Sequence, residues 1–128
     1  MPGEAKPYSK AQQLARGERR YRRKVASPKQ WQAIIAAKGR QCRLAPWNIT
    51  PTLDVQYHHL IPRDFGGDDV ADNIVPLCQH DHDMVTRREP EHVRALLSSL
   101  SDAEYAYAVG KAGEDWAERI YGLRYSRV

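Results

Sequence analysis

The sequence lacks long hydrophobic runs and contains little cysteine or phenylalanine. Its 128 residues include two Cys and one Phe, and its uninterrupted apolar stretches, such as residues 33–37, are short. A membrane-spanning helix needs about 20 apolar residues, so we expect no membrane partner. No apolar run follows the N-terminal charges, which is unlike a secretory signal. Two cysteines are too few for a disulfide scaffold, so we expect a cytoplasmic protein with reduced thiols.

Positive charge is concentrated near the N-terminus. Residues 1–40 contain eleven Lys or Arg and two Glu, a net charge of +9, whereas the remaining residues carry −5. The densest part is the run 19–24, Arg-Arg-Tyr-Arg-Arg-Lys. Such a segment attracts polyanions because each neutralised phosphate releases condensed counterions. A solvated, partly disordered tail accounts for the composition equally well, so charge alone leaves both interpretations open.

The hydrophobic pattern predicts several helices around two or three short strands. Ser27, Pro28 and Gln30 form an N-cap, a first helical position and a capping partner, and they predict a helix that ends at Gly39. Short strands are expected over 41–44 and 53–60, followed by an apolar segment at 74–77. Further helices are expected over 9–24 and 79–88, from Pro90, from Ser101 to Lys111, and around Trp116. This pattern is typical of an α+β protein dominated by helix.

Histidines are clustered in the middle of the chain. Four of the five lie between positions 58 and 82, namely His58, His59, His80 and His82. Imidazole is the commonest metal ligand, and its pKa suits proton transfer near neutral pH. Two adjacent histidines at a strand end and a third on a later helix could hold one metal ion beside a base. Successive strand residues face opposite sides, so we expect the strand to twist or end at this pair.

The order His58-His59, Asn73 and His82 resembles the HNH endonuclease family. A Gly-rich loop lies between these elements, and Asn-Ile-Val-Pro-Leu-Cys precedes the last histidine. The resemblance covers roughly residues 31–90. It implies the ββα-metal fold, in which a two-stranded hairpin packs on one helix around a single divalent cation, here with flanking N- and C-terminal helices. The run from Glu114 to Gly122 is also similar to small phage or prophage HNH proteins.

The resemblance assigns a role to each motif residue. It implies that His58 and His82 bind the metal, that His59 is the general base, and that Asn73 steadies the hairpin loop and orients that base. Ligand and base must differ, because an imidazole bound through its lone pair cannot accept a proton there. The candidate DNA-phosphate contacts are Arg19, Arg20, Arg22, Arg23, Lys24, Arg63, Arg87 and Arg88. For Arg63, Arg87 and Arg88, an ordinary solvated surface is an equal alternative.

The cysteines depart from the family pattern. Many members bind a structural zinc through two Cys-x-x-Cys pairs, of which only Cys42 and Cys78 remain here. Two thiolates fall short of four ligands, even with His80 as a third candidate, so we expect no structural zinc. We expect the thiols to be adjacent, buried and reduced, with a disulfide as the alternative, and Asp81 to lie outside the metal's coordination shell. Neutral imidazoles suit Mn²⁺, Ni²⁺, Co²⁺ or Zn²⁺ better than Mg²⁺.

These inferences divide the chain into three parts: a basic arm at 1–26, a nuclease core at 27–90, and a C-terminal helical extension at 91–128 packed on the core. The predicted function is metal-dependent hydrolysis of phosphodiester bonds in double-stranded DNA, by nicking or cutting, with one ion. The alternatives are a non-catalytic DNA-binding or phage DNA-packaging accessory that retains the fold, and a structural protein of a phage particle. Besides DNA, packaging machinery and a second copy of the chain are candidate partners in a bacterial or phage-infected cell.

Overall fold

The computed structural model describes residues 23–47 and 54–127, which form five α-helices and a two-stranded sheet. In chain order the elements are α1 (Pro28–Lys38), β1 (Val55–His59), β2 (Ile74–Cys78), α2 (Gln79–Thr86), α3 (Pro90–Ser99), α4 (Asp102–Ala112) and α5 (Trp116–Tyr121). Two 3₁₀ turns, Arg63–Phe65 and Ala71–Asn73, lie in the loop between the strands. The predicted α+β class, with a hairpin followed by a helix, is confirmed. None of the described helices has the length and apolar character needed to cross a lipid bilayer.

The hairpin is antiparallel, and its second strand is fully enclosed. Val55 pairs with Cys78 at one end of the sheet, and His59 pairs with Ile74 at the other. All five residues of β2 are buried, whereas no residue of β1 is fully buried. The hairpin therefore packs one strand inside the protein and presents the end of the other strand, where the histidines lie, to a cleft.

The predicted strand over 41–44 is wrong, since these residues form a bend and a turn. Arg43 donates its backbone N–H to the carbonyl of Pro76 at 2.8 Å, on the side of β2 that faces away from β1. The nitrogen of Pro76 faces the same way as its carbonyl, and it carries no hydrogen. A third strand beside β2 therefore lacks a donor at this point, and the pairing stops at a single bond.

One hydrophobic core joins the hairpin to the C-terminal helices. Leu60 and Ile61 follow β1 and are fully buried against a cluster that includes Val93, Leu96 and Trp116. Burying a large apolar side chain contributes about 1.5–3 kcal/mol, so helices α3–α5 stabilise the end of the hairpin. The division of the chain at residues 26 and 90 stays a prediction.

The helix boundaries follow local signals. The predicted capping of α1 by Ser27 with Gln30 is present, and Ser101 with Glu104 forms a second capping box at the start of α4. Helix α2 ends at Thr86, two residues earlier than predicted. Arg88 explains the difference, because its φ of 61° lies in the left-handed region and cannot continue the helix.

Glu104 also links α4 to the N-terminal half of the described chain. Its carboxylate accepts two hydrogen bonds from the Arg43 guanidinium, each 2.8 Å long, and one of 2.5 Å from Lys38. Burial alone would raise the pKa of Glu104, but these cations outweigh it and lower the pKa to about 2. The carboxylate is therefore ionised and paired at neutral pH.

Candidate functional site

The three motif histidines line one open cleft with a volume of about 640 Å³. His58 and His59 are the last two residues of β1, and His82 lies in the first half of α2. The ring centroids of His58 and His82 are 5.2 Å apart, with the rings edge to face at 68°. The fold thus brings together side chains that are 24 residues apart in the sequence. The other lining residues are Trp31, Tyr57, Pro62, Arg63, Asp64, Phe65, Val85, Thr86, Arg88, Ile120 and Tyr121.

His58 is held between α2 and α5. Its Nε2 lies 2.7 Å from the hydroxyl oxygen of Tyr121, and that hydroxyl donates a hydrogen bond of 2.6 Å to the carbonyl of Leu60. Burial, with smaller contributions from the neighbouring imidazoles His82 and His59, lowers the pKa of His58 to about 3. His58 is therefore neutral near pH 7, which is the protonation state that binds metals.

His59 faces the loop between the strands. Its Nε2 lies 2.8 Å from Oδ1 of Asp69, and its ring packs edge to face against Trp31 at 5.9 Å. The Asp69 carboxylate also accepts hydrogen bonds from the Arg23 guanidinium and from the backbone N–H of Ala26. Burial would raise the pKa of Asp69, but the hydrogen bonds from His59 and Ala26 and the charge of Arg23 lower it. Asp69 is thus an ionised acceptor, and His59 donates to it through Nε2.

The strand ends at the histidine pair, as the sequence predicted. β1 finishes at His59, and the two rings lie on opposite sides of it, one toward α2 and the other toward the loop. Both rings still line the same cleft, at the end of the strand.

Asn73 fastens the loop that follows β1. Its side-chain oxygen accepts the backbone N–H of Ile61 at 2.7 Å, and its amide nitrogen donates to the carbonyls of Ile61 and Asp68. Gly67 fits closely beside it, since a Cβ there would lie 1.6 Å from the Ile61 carbonyl oxygen. These contacts fix the loop that carries Asp69.

The predicted phosphate-binding residues fall into separate groups. Arg63 and Arg88 line the cleft, whereas Arg87 is exposed and is not among the lining residues. Arg23 donates to the Gly67 carbonyl at 2.7 Å and to Asp69, so it is engaged with the loop, and Lys24 is exposed. The remaining candidates, Arg19, Arg20 and Arg22, lie outside the described residues.

A second cluster lies on the other side of α2. Cys42 and Cys78 are buried free thiols, and both donate to Oδ2 of Asp81, at 3.1 and 3.2 Å. The predicted proximity of the thiols is confirmed. Burial raises the pKa of Cys42 to about 12. Asp81 bonds to the thiols, on the face of α2 away from His82.

This cluster contains more ligand atoms than the sequence argument counted. The sulfur atoms of Cys42 and Cys78 and a carboxylate oxygen of Asp81 lie within 4.8 Å of one another, and His80 and His92 approach the same carboxylate. The absence of a structural zinc stays a prediction. Asp81 and His92 add two donors to the three that the sequence argument counted, which were Cys42, Cys78 and His80.

The comparison with known families agrees with this geometry. Residues 47–88 match the family model described as HNH endonuclease, a stretch that contains the hairpin, its loop and α2. No curated protein and no solved structure matches the chain significantly, so the narrower similarity to phage proteins stays a prediction. The family match indicates a nuclease or DNA-binding function. The hairpin and α2 therefore lie within a stretch that is similar to the HNH endonuclease family.

Proposed function

We propose that this protein is a metal-dependent endonuclease that hydrolyses phosphodiester bonds in double-stranded DNA, by nicking or cutting, with a single ion. The observation that carries the proposal is one cleft in which neutral His58 faces His82 while His59, hydrogen-bonded to a carboxylate, lies beside them. A divalent ion held by His58 and His82 would neutralise the scissile phosphate and stabilise the departing 3′ oxygen.

The donor pair fits a catalytic ion better than a structural one. Among the described residues, no group of three His, Cys, Asp or Glu side chains with ligand atoms within 4.8 Å of one another includes His58 or His82. An ion there would keep coordination positions for water and phosphate oxygens, which is the arrangement of catalytic sites. Two neutral imidazoles favour Mn²⁺, Ni²⁺, Co²⁺ or Zn²⁺ over Mg²⁺, which prefers oxygen ligands.

His59 is the proposed general base. Because ionised Asp69 can only accept, Nε2 of His59 carries the hydrogen between them, and Nδ1 keeps its lone pair. That nitrogen takes the proton of the attacking water. Asn73 supports this step indirectly, since its hydrogen bonds to Ile61 and Asp68 fix the loop from which Asp69 reaches the base.

Basic side chains supply the affinity for DNA. Arg63 and Arg88 border the cleft, where guanidinium groups can pair with phosphates on either side of the scissile bond. The basic run 19–24 adds sequence-independent affinity that falls with salt concentration. Arg23 joins this run to the body of the protein, because its guanidinium bonds to the 67–69 loop.

A supercoiled-plasmid assay tests the proposal. The intact protein is incubated with Mn²⁺, Ni²⁺, Co²⁺, Zn²⁺ or Mg²⁺ beside His59→Ala, His82→Ala and the control His80→Ala, whose side chain is exposed on the same helix. We expect nicked or linear DNA from the wild type and from His80→Ala, and at least a hundredfold slower cleavage by the other two variants. Equal cleavage by all proteins would place the activity elsewhere or in a contaminant. Tight, salt-sensitive DNA binding without cleavage by the wild type would favour the non-catalytic accessory.

A further inference from the structure

We infer that Tyr121, in the C-terminal helix α5, positions the metal ligand His58 by fixing which ring nitrogen carries the hydrogen. The inference rests on the proposed function, because it takes His58 as a ligand. It makes the C-terminal helices part of the metal site, although they lie outside the residues that match the HNH family.

The direction of two hydrogen bonds carries the argument. A tyrosine hydroxyl has one hydrogen, and that of Tyr121 is donated to the Leu60 carbonyl oxygen, 2.6 Å away, which can only accept. Nε2 of His58 lies 2.7 Å from the same hydroxyl oxygen, so it must be the donor of the second bond. A neutral imidazole with hydrogen on Nε2 has its lone pair on Nδ1, and Nδ1 is therefore the nitrogen left to bind an ion.

A tyrosine hydroxyl keeps its hydrogen near neutral pH, and a neutral imidazole carries one hydrogen. With a hydrogen on each nitrogen the ring would have no lone pair to offer a metal.

The phenol is itself held firmly. Tyr121 is 5% exposed, and its ring packs edge to face against the fully buried Trp116, with centroids 6.1 Å apart. Its other partner, Leu60, follows directly after β1. The hydroxyl therefore joins α5, the end of the strand and the ligand through one oxygen atom. Hydrogen bonds of this kind typically change metal affinity by about 10–100-fold.

The test replaces Tyr121 with Phe, which keeps the ring and removes the hydroxyl. The matched control is Tyr57→Phe, because Tyr57 lines the same cleft but donates its hydroxyl hydrogen to the Gly39 carbonyl. Mn²⁺ affinity is measured on the full chain by calorimetry and by the electron paramagnetic resonance signal of the free ion. Mn²⁺ is chosen because the thiols of the second cluster bind it poorly. We expect about 10–100-fold weaker binding by Tyr121→Phe and less than about threefold for the control.

The outcomes separate this inference from the proposed function. Unchanged Mn²⁺ affinity in a folded Tyr121→Phe variant would overturn the inference alone. Unchanged Mn²⁺ affinity in His82→Ala would refute the proposed metal site itself. If Tyr121→Phe does not fold, long-range ¹H–¹⁵N spectra of the wild type show which nitrogen of His58 carries the hydrogen. Hydrogen on Nε2 supports the inference, and hydrogen on Nδ1 refutes it.

Discussion

Acid should destabilise the metal-free protein through His58. Burial moves the pKa of this ring from an ordinary value of 6.5 to about 3. Between these values the unfolded chain binds a proton that the folded chain does not, so protons favour unfolding. The contribution of neutral His58 to stability is therefore complete above pH 6.5 and is lost as the pH falls toward 3.

The size of the effect follows from the shift. A fully shifted group changes the free energy of unfolding by about 1.4 kcal/mol per pH unit, or about 2.7 kcal/mol between pH 6.5 and 4.5. His58 keeps partial exposure at the cleft, so solvent screening reduces this figure, and we expect about 1–2 kcal/mol. Burial also lowers the pKa of His82, which adds to the loss in the same direction.

Urea denaturation in EDTA at several pH values between 7.5 and 4.5 measures this contribution. The wild type is compared with His58→Gln and with His80→Gln, whose histidine is exposed. Titration of the carboxylates is common to all three proteins, so the difference between the curves isolates His58. We expect the free energy of unfolding of His80→Gln to fall with pH in parallel with the wild type. Between pH 7.5 and 4.5, His58→Gln should lose about 1–2 kcal/mol less of this free energy than the wild type. Parallel curves for all three would refute a neutral, buried His58.

Three other perturbations test separate parts of the structure. In single-turnover plasmid cleavage, Asp69→Asn should cleave about 10–100-fold more slowly than the wild type at unchanged DNA affinity. The control Asp68→Asn should change the cleavage rate by less than about threefold, because the Asp68 carboxylate bonds a phenol and an ammonium group instead of His59. Equal effects of the two substitutions would argue against positioning of the base by Asp69. Glu104→Gln should lower the free energy of unfolding in urea by about 2–3 kcal/mol, since two partly buried cations lose their partner, and a loss below about 0.5 kcal/mol would contradict the buried ion-pair network. In the metal-free protein, Cys42 and Cys78 should react with a disulfide reagent at least about a hundredfold more slowly when folded than when unfolded. Prompt labelling of the folded protein would contradict this burial. Because burial raises the pKa of Cys42 to about 12, the protonated thiol's contribution to stability is complete below pH 9 and should fall as the pH rises above 9.

Local signals predicted much of the fold, and a tertiary contact explains the clearest error. The capping boxes at Ser27 and Ser101 act within four residues, so the sequence alone shows where α1 and α4 begin. The strand expected over 41–44 has an adequate local pattern. It fails because its neighbour β2 presents Pro76 to it, and sequence periodicity does not reveal which residue will lie opposite.

The candidate site was predictable only as far as its motif extends. The order of the histidines and Asn73 singled out three side chains that line one cleft, but it did not reveal the contacts of Asp69 and Tyr121. Asp69 belongs to an acidic loop that lacks the alternating ligand spacing of a calcium site, and its contact with His59 depends on how Asn73 fastens that loop. Tyr121 lies 61 residues from Leu60, and no periodicity connects them. Both contacts form only when the chain closes on itself.

In the proposed mechanism, the two adjacent histidines take different roles because of strand geometry. Neighbouring residues of β1 project to opposite sides, which turns His58 toward α2 and His59 toward the loop. Each ring then meets its own hydrogen-bond partner, a phenol for one and a carboxylate for the other. Both partners leave the hydrogen on Nε2 and the lone pair on Nδ1, but the neutral phenol suits a ring that binds a cation, whereas the carboxylate stabilises a ring that gains a proton. An exchange of the two partners would therefore weaken both proposed functions, even though the two side chains are identical.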